Sequence, residues 1–235
     1  SPNFMLRYAP GHMRNLSGDS LTLNYSNLFA TNKTSVIEDG INAILGFDFK
    51  TNKKDEDGTD REKFSISMGQ VLSPEENKDM PTKSSLHRKT SDIVGKMNYN
   101  FSKIGDIAYK FSLDNNLNDL NYNEVSTSLN FGKVSFNLNY LEEQNHVGRE
   151  HYINSGVSLV FNKHNKLNFE TKKNFKTEST EFYNLIYQYV NDCLTAGVEF
   201  NRTFYEDKDV EASDSLMFKI SIKPFGGITT PSLYQ

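Results

Sequence analysis

The chain has 235 residues, of which 36% are hydrophobic and 12% aromatic, and its formal net charge is −4. That acidic balance argues against a general nucleic-acid binder, which would carry a basic stripe, and the many Phe and Tyr residues argue against disorder. The sequence has no run of about 18 apolar residues, so it offers no candidate transmembrane helix. Because it starts at Ser1-Pro2 without Met, we expect it to be a piece of a longer protein.

Apolar and aromatic residues recur at every second position in one segment after another. The clear segments are 43–49, 64–68, 93–101, 107–113, 125–131, 134–140, 153–161, 183–189, 194–204 and 216–222, and the weaker ones are 167–169, 4–8 and 21–25. The positions between them hold mostly Asn, Ser, Lys, Asp and Thr, which is typical of strands with one apolar and one wet face. The repetition predicts an all-β chain of about 11–12 strands.

The connections between these segments are alternately short and long. Short ones are predicted at 102–106, 132–133, 162–166 and 191–192, and long charged ones at 72–91, 114–122, 142–150, 175–181 and 205–213. An antiparallel up-and-down transmembrane β-barrel has this asymmetry, so the pattern predicts part of such a barrel. The connection at 50–62 falls on the short side yet is long, which does not fit. A soluble β-sandwich or a β-solenoid is the alternative, although the turns of a sandwich are not sorted in this way.

No motif for catalysis or metal binding is found in the sequence. The five histidines are scattered without ligand spacing. A glycine-rich phosphate loop, a nucleophile elbow and a zinc-protease motif are all missing. We therefore expect neither an enzyme nor a metal or cofactor site.

The only cysteine, Cys193, directly follows Asn191-Asp192, where a tight turn is predicted. One interpretation is a buried free thiol that acts as a small apolar group. The interpretation we favour is a disulfide to another segment or another chain, because an odd cysteine in an oxidising compartment suggests such a bond.

Several short stretches together resemble one protein family. They are Asp192-Cys-Leu-Thr-Ala-Gly-Val-Glu-Phe-Asn-Arg-Thr-Phe204, the run 207–223, and upstream 6–14, 27–34, 36–40 and 66–70. In their order and spacing these stretches resemble the LptD family of lipopolysaccharide-assembly proteins, particularly its alphaproteobacterial members. The resemblance covers most of the chain, although each motif is short.

The resemblance implies an integral outer-membrane barrel of a Gram-negative bacterium, which inserts lipopolysaccharide into the outer leaflet. Residues 1–225 would be a C-terminal portion of that barrel, and residues 226–235 a C-terminal tail. The family's lateral gate lies between its first and last strands. The last strand would here be 213–223, with gate candidates Leu216, Phe218, Ile220 and Ile222. Another outer-membrane barrel, such as a porin or a receptor, or a soluble all-β binding module, are the alternatives.

The resemblance also implies partners. They are lipopolysaccharide, the lipid of the outer membrane, an LptE-type lipoprotein plug in the lumen, and a periplasmic LptA-type bridge that acts through the family's N-terminal domain. Cys193 matches a cysteine that the family commonly ties to this periplasmic domain by a disulfide. Many members carry two adjacent cysteines there, whereas this chain has one, so the resemblance implies a single bond without the family's redundant pairing.

Overall fold

The computed structural model describes residues 1–34, 38–54, 58–101, 103–144, 149–204, 212–222, 226–229 and 233–234. Within these ranges the chain is almost entirely strand, with one 3₁₀ turn at Thr82–Ser84. The strands are β1 Pro2–Ala9, β2 Gly40–Lys54, β3 Asp60–Leu72, β4 Ile93–Asn100, β5 Gly105–Leu113, β6 Leu120–Phe131, β7 Val134–Glu143, β8 His151–Val160, β9 Asn165–Asn174, β10 Ser179–Val190, β11 Leu194–Thr203, β12 Ser213–Ile222, β13 Gly226–Thr229 and β14 Leu233–Tyr234.

Each strand pairs with the next one in the chain, from β1 to β13, and β14 pairs with β12. The predicted all-β, antiparallel, up-and-down architecture is therefore confirmed, with twelve long strands among the residues described. The weak candidate at 4–8 lies in β1. The candidate at 21–25 is wrong, since these residues form no strand. Among the residues described, β1 pairs with β2 alone, so the sheet is open at that edge, as expected of a partial barrel.

The alternation of connections is largely confirmed. One end of the strands carries 10–39, 73–92, 114–119, 144–150, 175–178 and 204–212, and the other end carries 55–59, 101–104, 132–133, 161–164 and 191–193. We call them the long-connection end and the short-connection end. Residues 145–148 and 205–211, in two of the predicted long connections, lie outside the described residues.

Two β-bulges explain where the predicted connection lengths were wrong. In the β2–β3 hairpin the register passes from Thr51↔Phe64 to Asn52↔Glu62, so Lys63 is an extra, unpaired residue. Beyond this bulge the two strands continue through charged residues. Only 55–59 then separates them, which removes the misfit. In the β9–β10 pair Glu181 is the extra residue, and the connection shrinks to 175–178.

The chain divides into two compact units. Unit 1 comprises Ser1–Ser102, Asp106–Val125 and Leu141–Glu150, and unit 2 comprises Lys103–Gly105, Ser126–Tyr140 and His151–Gln235.

Unit 1 has a small hydrophobic core on one face of its strands, built by the connections 10–39 and 73–92. The buried side chains that meet there are Leu23, Leu28, Ile44, Val71, Met80, Leu86 and Val94. Glycines in β2 and β3 leave space for side chains of connection 10–39. A Cβ on Gly46 would lie 2.6 Å from the Phe29 ring, and a Cβ on Gly69 would lie 2.5 Å from Leu28 Cδ2. Leu21 and Leu23, which look like strand residues in the sequence, belong to this packing.

Unit 2 holds its strands together differently. The fully buried hydrophobic side chains of the described residues all belong to unit 1. In unit 2 the apolar side chains are half-buried or exposed, and the opposite side chains are linked across strands by hydrogen bonds. One face of its strands is therefore apolar without being buried.

Candidate functional site

The apolar face of unit 1 consists of alternate side chains on β1 and β2. Phe4, Leu6 and Tyr8 are 66%, 66% and 69% exposed. The β1–β2 register places Phe4 opposite Leu45 and Tyr8 opposite Ile41, so the exposed rows are continuous. A contiguous apolar surface of this kind marks contact with a membrane or a partner.

The apolar face of unit 2 is formed in the same way by β8 to β12. The register aligns Leu185 with Phe200 and Phe200 with Leu216, so apolar side chains stand side by side across three strands. The four residues predicted for the last strand all lie on this face and are exposed: Leu216, Phe218, Ile220 and Ile222. Their role in a gate stays a prediction.

Charged and aromatic residues mark the two ends of this apolar face. At the long-connection end Arg202 lies 3.5 Å from Asp214, and its guanidinium is 4.9 Å from the centre of the Phe204 ring. There too the Lys173 ammonium is 5.6 Å from the Phe175 ring. At the short-connection end Phe131 and Phe161 are exposed. An apolar band between aromatic girdles is how the outer surface of a membrane barrel meets lipid and headgroups.

The polar face of unit 2 lies on the other side of the same strands, and cross-strand hydrogen bonds cover it. Their partners are Ser158 Oγ and Asn168 Oδ1 at 2.7 Å, Asn154 Nδ2 and Glu170 Oε1 at 3.2 Å, and Asn184 Nδ2 and Glu199 Oε1 at 3.3 Å. Glu181 lies 2.7 Å from Lys172 Nζ, because the β-bulge places its carboxylate there. The face also lines a cavity of about 410 Å³. Such a surface stays hydrated and offers both donors and acceptors.

The polar face of unit 1 carries a buried ionic group that fastens connection 10–39 to β1. Arg7 donates to Asn32 Oδ1 at 3.1 Å and also to the carbonyl of Glu38. Glu38 Oε1 accepts from the backbone amides of Lys33 and Thr34, and its Oε2 lies 3.9 Å from Lys33 Nζ. Burial lowers the pKa of Lys33, and the neighbouring Glu38 opposes that shift. The connection is thus held by charge as well as by the core.

Cys193 is an exposed free thiol in the connection between β10 and β11. The Asn191 side chain closes this turn, since its Oδ1 accepts from the amides of Cys193 at 3.0 Å and Leu194 at 2.7 Å. The interpretation as a buried thiol is therefore wrong. The position at the short-connection end is the predicted one, and the disulfide stays a prediction.

The polar face was predicted only as an alternation of residue types, and the core that covers part of it was not predicted. Glycines inside two strand patterns, Gly46 and Gly69, were the available signal, because such glycines mark close approach of other chain segments. Within the described ranges no three His, Cys, Asp or Glu side chains are grouped so as to hold a metal ion. None of the helical structure described is long and apolar enough to span a membrane.

Comparison with known proteins agrees with this two-faced meander. No curated protein matches the chain. The protein family LptD, described as LPS transport system D, matches residues 2–165. That range extends from β1 into the first residue of β9, and the stretches 192–204 and 207–223 lie beyond it. An exposed apolar face opposite a polar one, on an open antiparallel meander, is the wall of an outer-membrane β-barrel. Since the match covers well over half of the sequence, the chain belongs to the LptD family, which transports and assembles lipopolysaccharide at the outer membrane.

Proposed function

We propose that the chain forms a section of a translocon wall that delivers lipopolysaccharide into the outer leaflet. The observation that carries the proposal is the separation of an apolar and a polar face along the strands of unit 2. Hydrogen-bonding side chains such as Asn168 and Glu170 lie on one side, and apolar ones such as Phe169 and Leu185 on the other. The sugar headgroup would pass along the polar face, while the apolar face remains in lipid.

The acyl chains need an opening in the wall, and we assign it to the last long strand, β12. Its apolar residues Leu216, Phe218, Ile220 and Ile222 would border that opening. Supporting this, among the residues described the β12 edge that does not pair with β11 forms four register pairs with β13 and two with β14. Short pairings open at a lower free-energy cost than the ten-residue pairing of β11 with β12.

Transport of this kind breaks and forms no covalent bond in the chain, so its energy must be supplied by partners. We assign an LptA-type bridge as the donor and an LptE-type lipoprotein as the plug. We assign the contact with the plug lipoprotein to the polar face of unit 2, because the polar face of unit 1 already packs against connections 10–39 and 73–92.

We further propose that Cys193 forms a disulfide with another segment of the full-length protein. Its exposure and its place at the short-connection end support this proposal. The full-length protein from cells, alkylated before lysis, should migrate differently with and without reductant. A Cys193→Ser variant should lose that difference, and a freely alkylated Cys193 in the native protein would contradict the bond.

Site-specific photocrosslinking in cells tests the transport proposal. A photoreactive residue at Asn168 should form lipopolysaccharide adducts only while new lipopolysaccharide is supplied. At the neighbouring Phe169, on the apolar face, adducts with standing outer-leaflet lipopolysaccharide should persist after supply stops. The absence of adducts at Asn168 during active supply would contradict the proposed route.

A further inference from the structure

Two lysines lie directly opposite each other on the polar face of unit 1. The register of β4 and β5 pairs Lys96 with Lys110, and like charges in directly opposed positions destabilise a sheet. A departure of this kind from sheet-forming rules is expected at functional sites. The opposed lysines therefore mark this position as a candidate binding site.

The two lysines differ in their surroundings. Lys110 Nζ lies 2.9 Å from Glu124 Oε2, and Tyr122 donates to the same oxygen at 2.7 Å. Lys96 forms no ion pair with any residue that the structure describes, and its ammonium lies 5.5 Å from the centre of the Tyr25 ring. Glu62, whose Oε2 lies 3.2 Å from Lys50 Nζ, also attracts Lys96 at longer range, so Lys96 has no carboxylate within contact distance among the residues described.

The two lysines line a cavity of about 250 Å³. The hydroxyl-bearing residues Thr22 and Ser26 line it as well, whereas the Ser112 hydroxyl there donates to Asp92 at 3.2 Å. Since one water occupies about 30 Å³ in the liquid, the cavity has room for a group with four oxygens. Ammonium and hydroxyl groups are the donors that hold phosphate oxygens, and lysine binds phosphate as a point charge.

We infer that this cavity is a subsite for a phosphate group of the lipopolysaccharide headgroup, bound between Lys96 and Lys110. The inference rests on the proposed function, which places the headgroup on the polar face. An anion relieves the repulsion between the lysines, whereas a neutral sugar would leave it in place. A metal ion would be repelled by the two ammonium groups, and among the residues described no carboxylate lines the cavity.

The first experiment measures binding of inorganic phosphate to the purified protein in detergent, by calorimetry and by the phosphate-dependent rise in unfolding temperature. Lys96→Gln and Lys110→Gln should each weaken phosphate binding about tenfold or more. Without phosphate, Lys96→Gln should unfold at the same or a higher temperature than the wild type, because it removes repulsion. Lys133→Gln, in the exposed β6–β7 connection, is the matched control and should bind phosphate like the wild type.

Equal phosphate affinity in the wild type and both lysine variants would overturn the inference, as would no binding by the wild type. The second arm uses lipopolysaccharide and a chemically dephosphorylated preparation as competitors. Intact lipopolysaccharide should displace phosphate, and the dephosphorylated form should not. Displacement by neither would assign the cavity to free phosphate and overturn the lipid assignment. The adducts expected at Asn168 do not depend on this result, so the phosphate subsite and the transport route can be refuted independently of each other.

Discussion

At the scale of single residues, Gly69 shows how tightly the connection 10–39 is packed against β3. A Cβ at this position would lie 2.5 Å from Leu28 Cδ2 and 2.5 Å from the Leu45 carbonyl oxygen. The carbonyl belongs to the neighbouring strand and cannot rotate away, so a methyl group must shift the backbone.

We therefore expect Gly69→Ala to lower the free energy of unfolding by about 1–3 kcal/mol, the usual cost of overpacking. Urea unfolding of the protein in detergent measures this change. Gly18→Ala is the control, because a Cβ there meets nothing within 4 Å. Equal stability of the two variants would show that connection 10–39 does not pack on β3 as described.

At the scale of strands, the face on which a residue lies decides whether a charge is tolerated. Phe200 and Asn201 are neighbours on β11, but Phe200 lies on the apolar face and Asn201 on the polar face.

Phe200→Arg should reduce membrane insertion, at a cost of about 2–4 kcal/mol if the position is near the bilayer midplane and less toward the interface. Leu159→Arg on β8 should act in the same way. Asn201→Arg, one residue away, should insert normally. Insertion is measured in membrane fractions as the amount of protein that migrates as the folded, heat-modifiable band. Normal assembly of Phe200→Arg would contradict the assigned lipid face.

The strands and their two faces could be predicted from sequence, because a period of two is a local property that each segment carries by itself. The extent of the β2–β3 hairpin could not be predicted, because the extra residue Lys63 interrupts the alternation and charged residues continue the strands. Leu21, Leu23 and Tyr25 alternate like a strand, yet tertiary packing onto Ile44 and Val71 decides their conformation. The pairing of Lys96 with Lys110 depends on register, which single segments do not encode.

At the scale of the whole molecule, membership of the LptD family and the sheet architecture support one account. Each unit presents an apolar face, and unit 2 bounds its face with aromatic and charged residues at the strand ends. In the assembled protein the apolar faces should therefore contact lipid and the polar faces water.

A spin-label scan along β11 tests this requirement most directly. In a Cys193→Ser background, single labels at successive positions are compared for collision with lipid-soluble oxygen and with a water-soluble nickel chelate. We expect a period of two, with Ala196, Val198 and Phe200 accessible to oxygen and Gly197, Glu199 and Asn201 accessible to the chelate. Uniform access of the chelate along the whole strand would contradict it, because such a strand would lie in water on both faces.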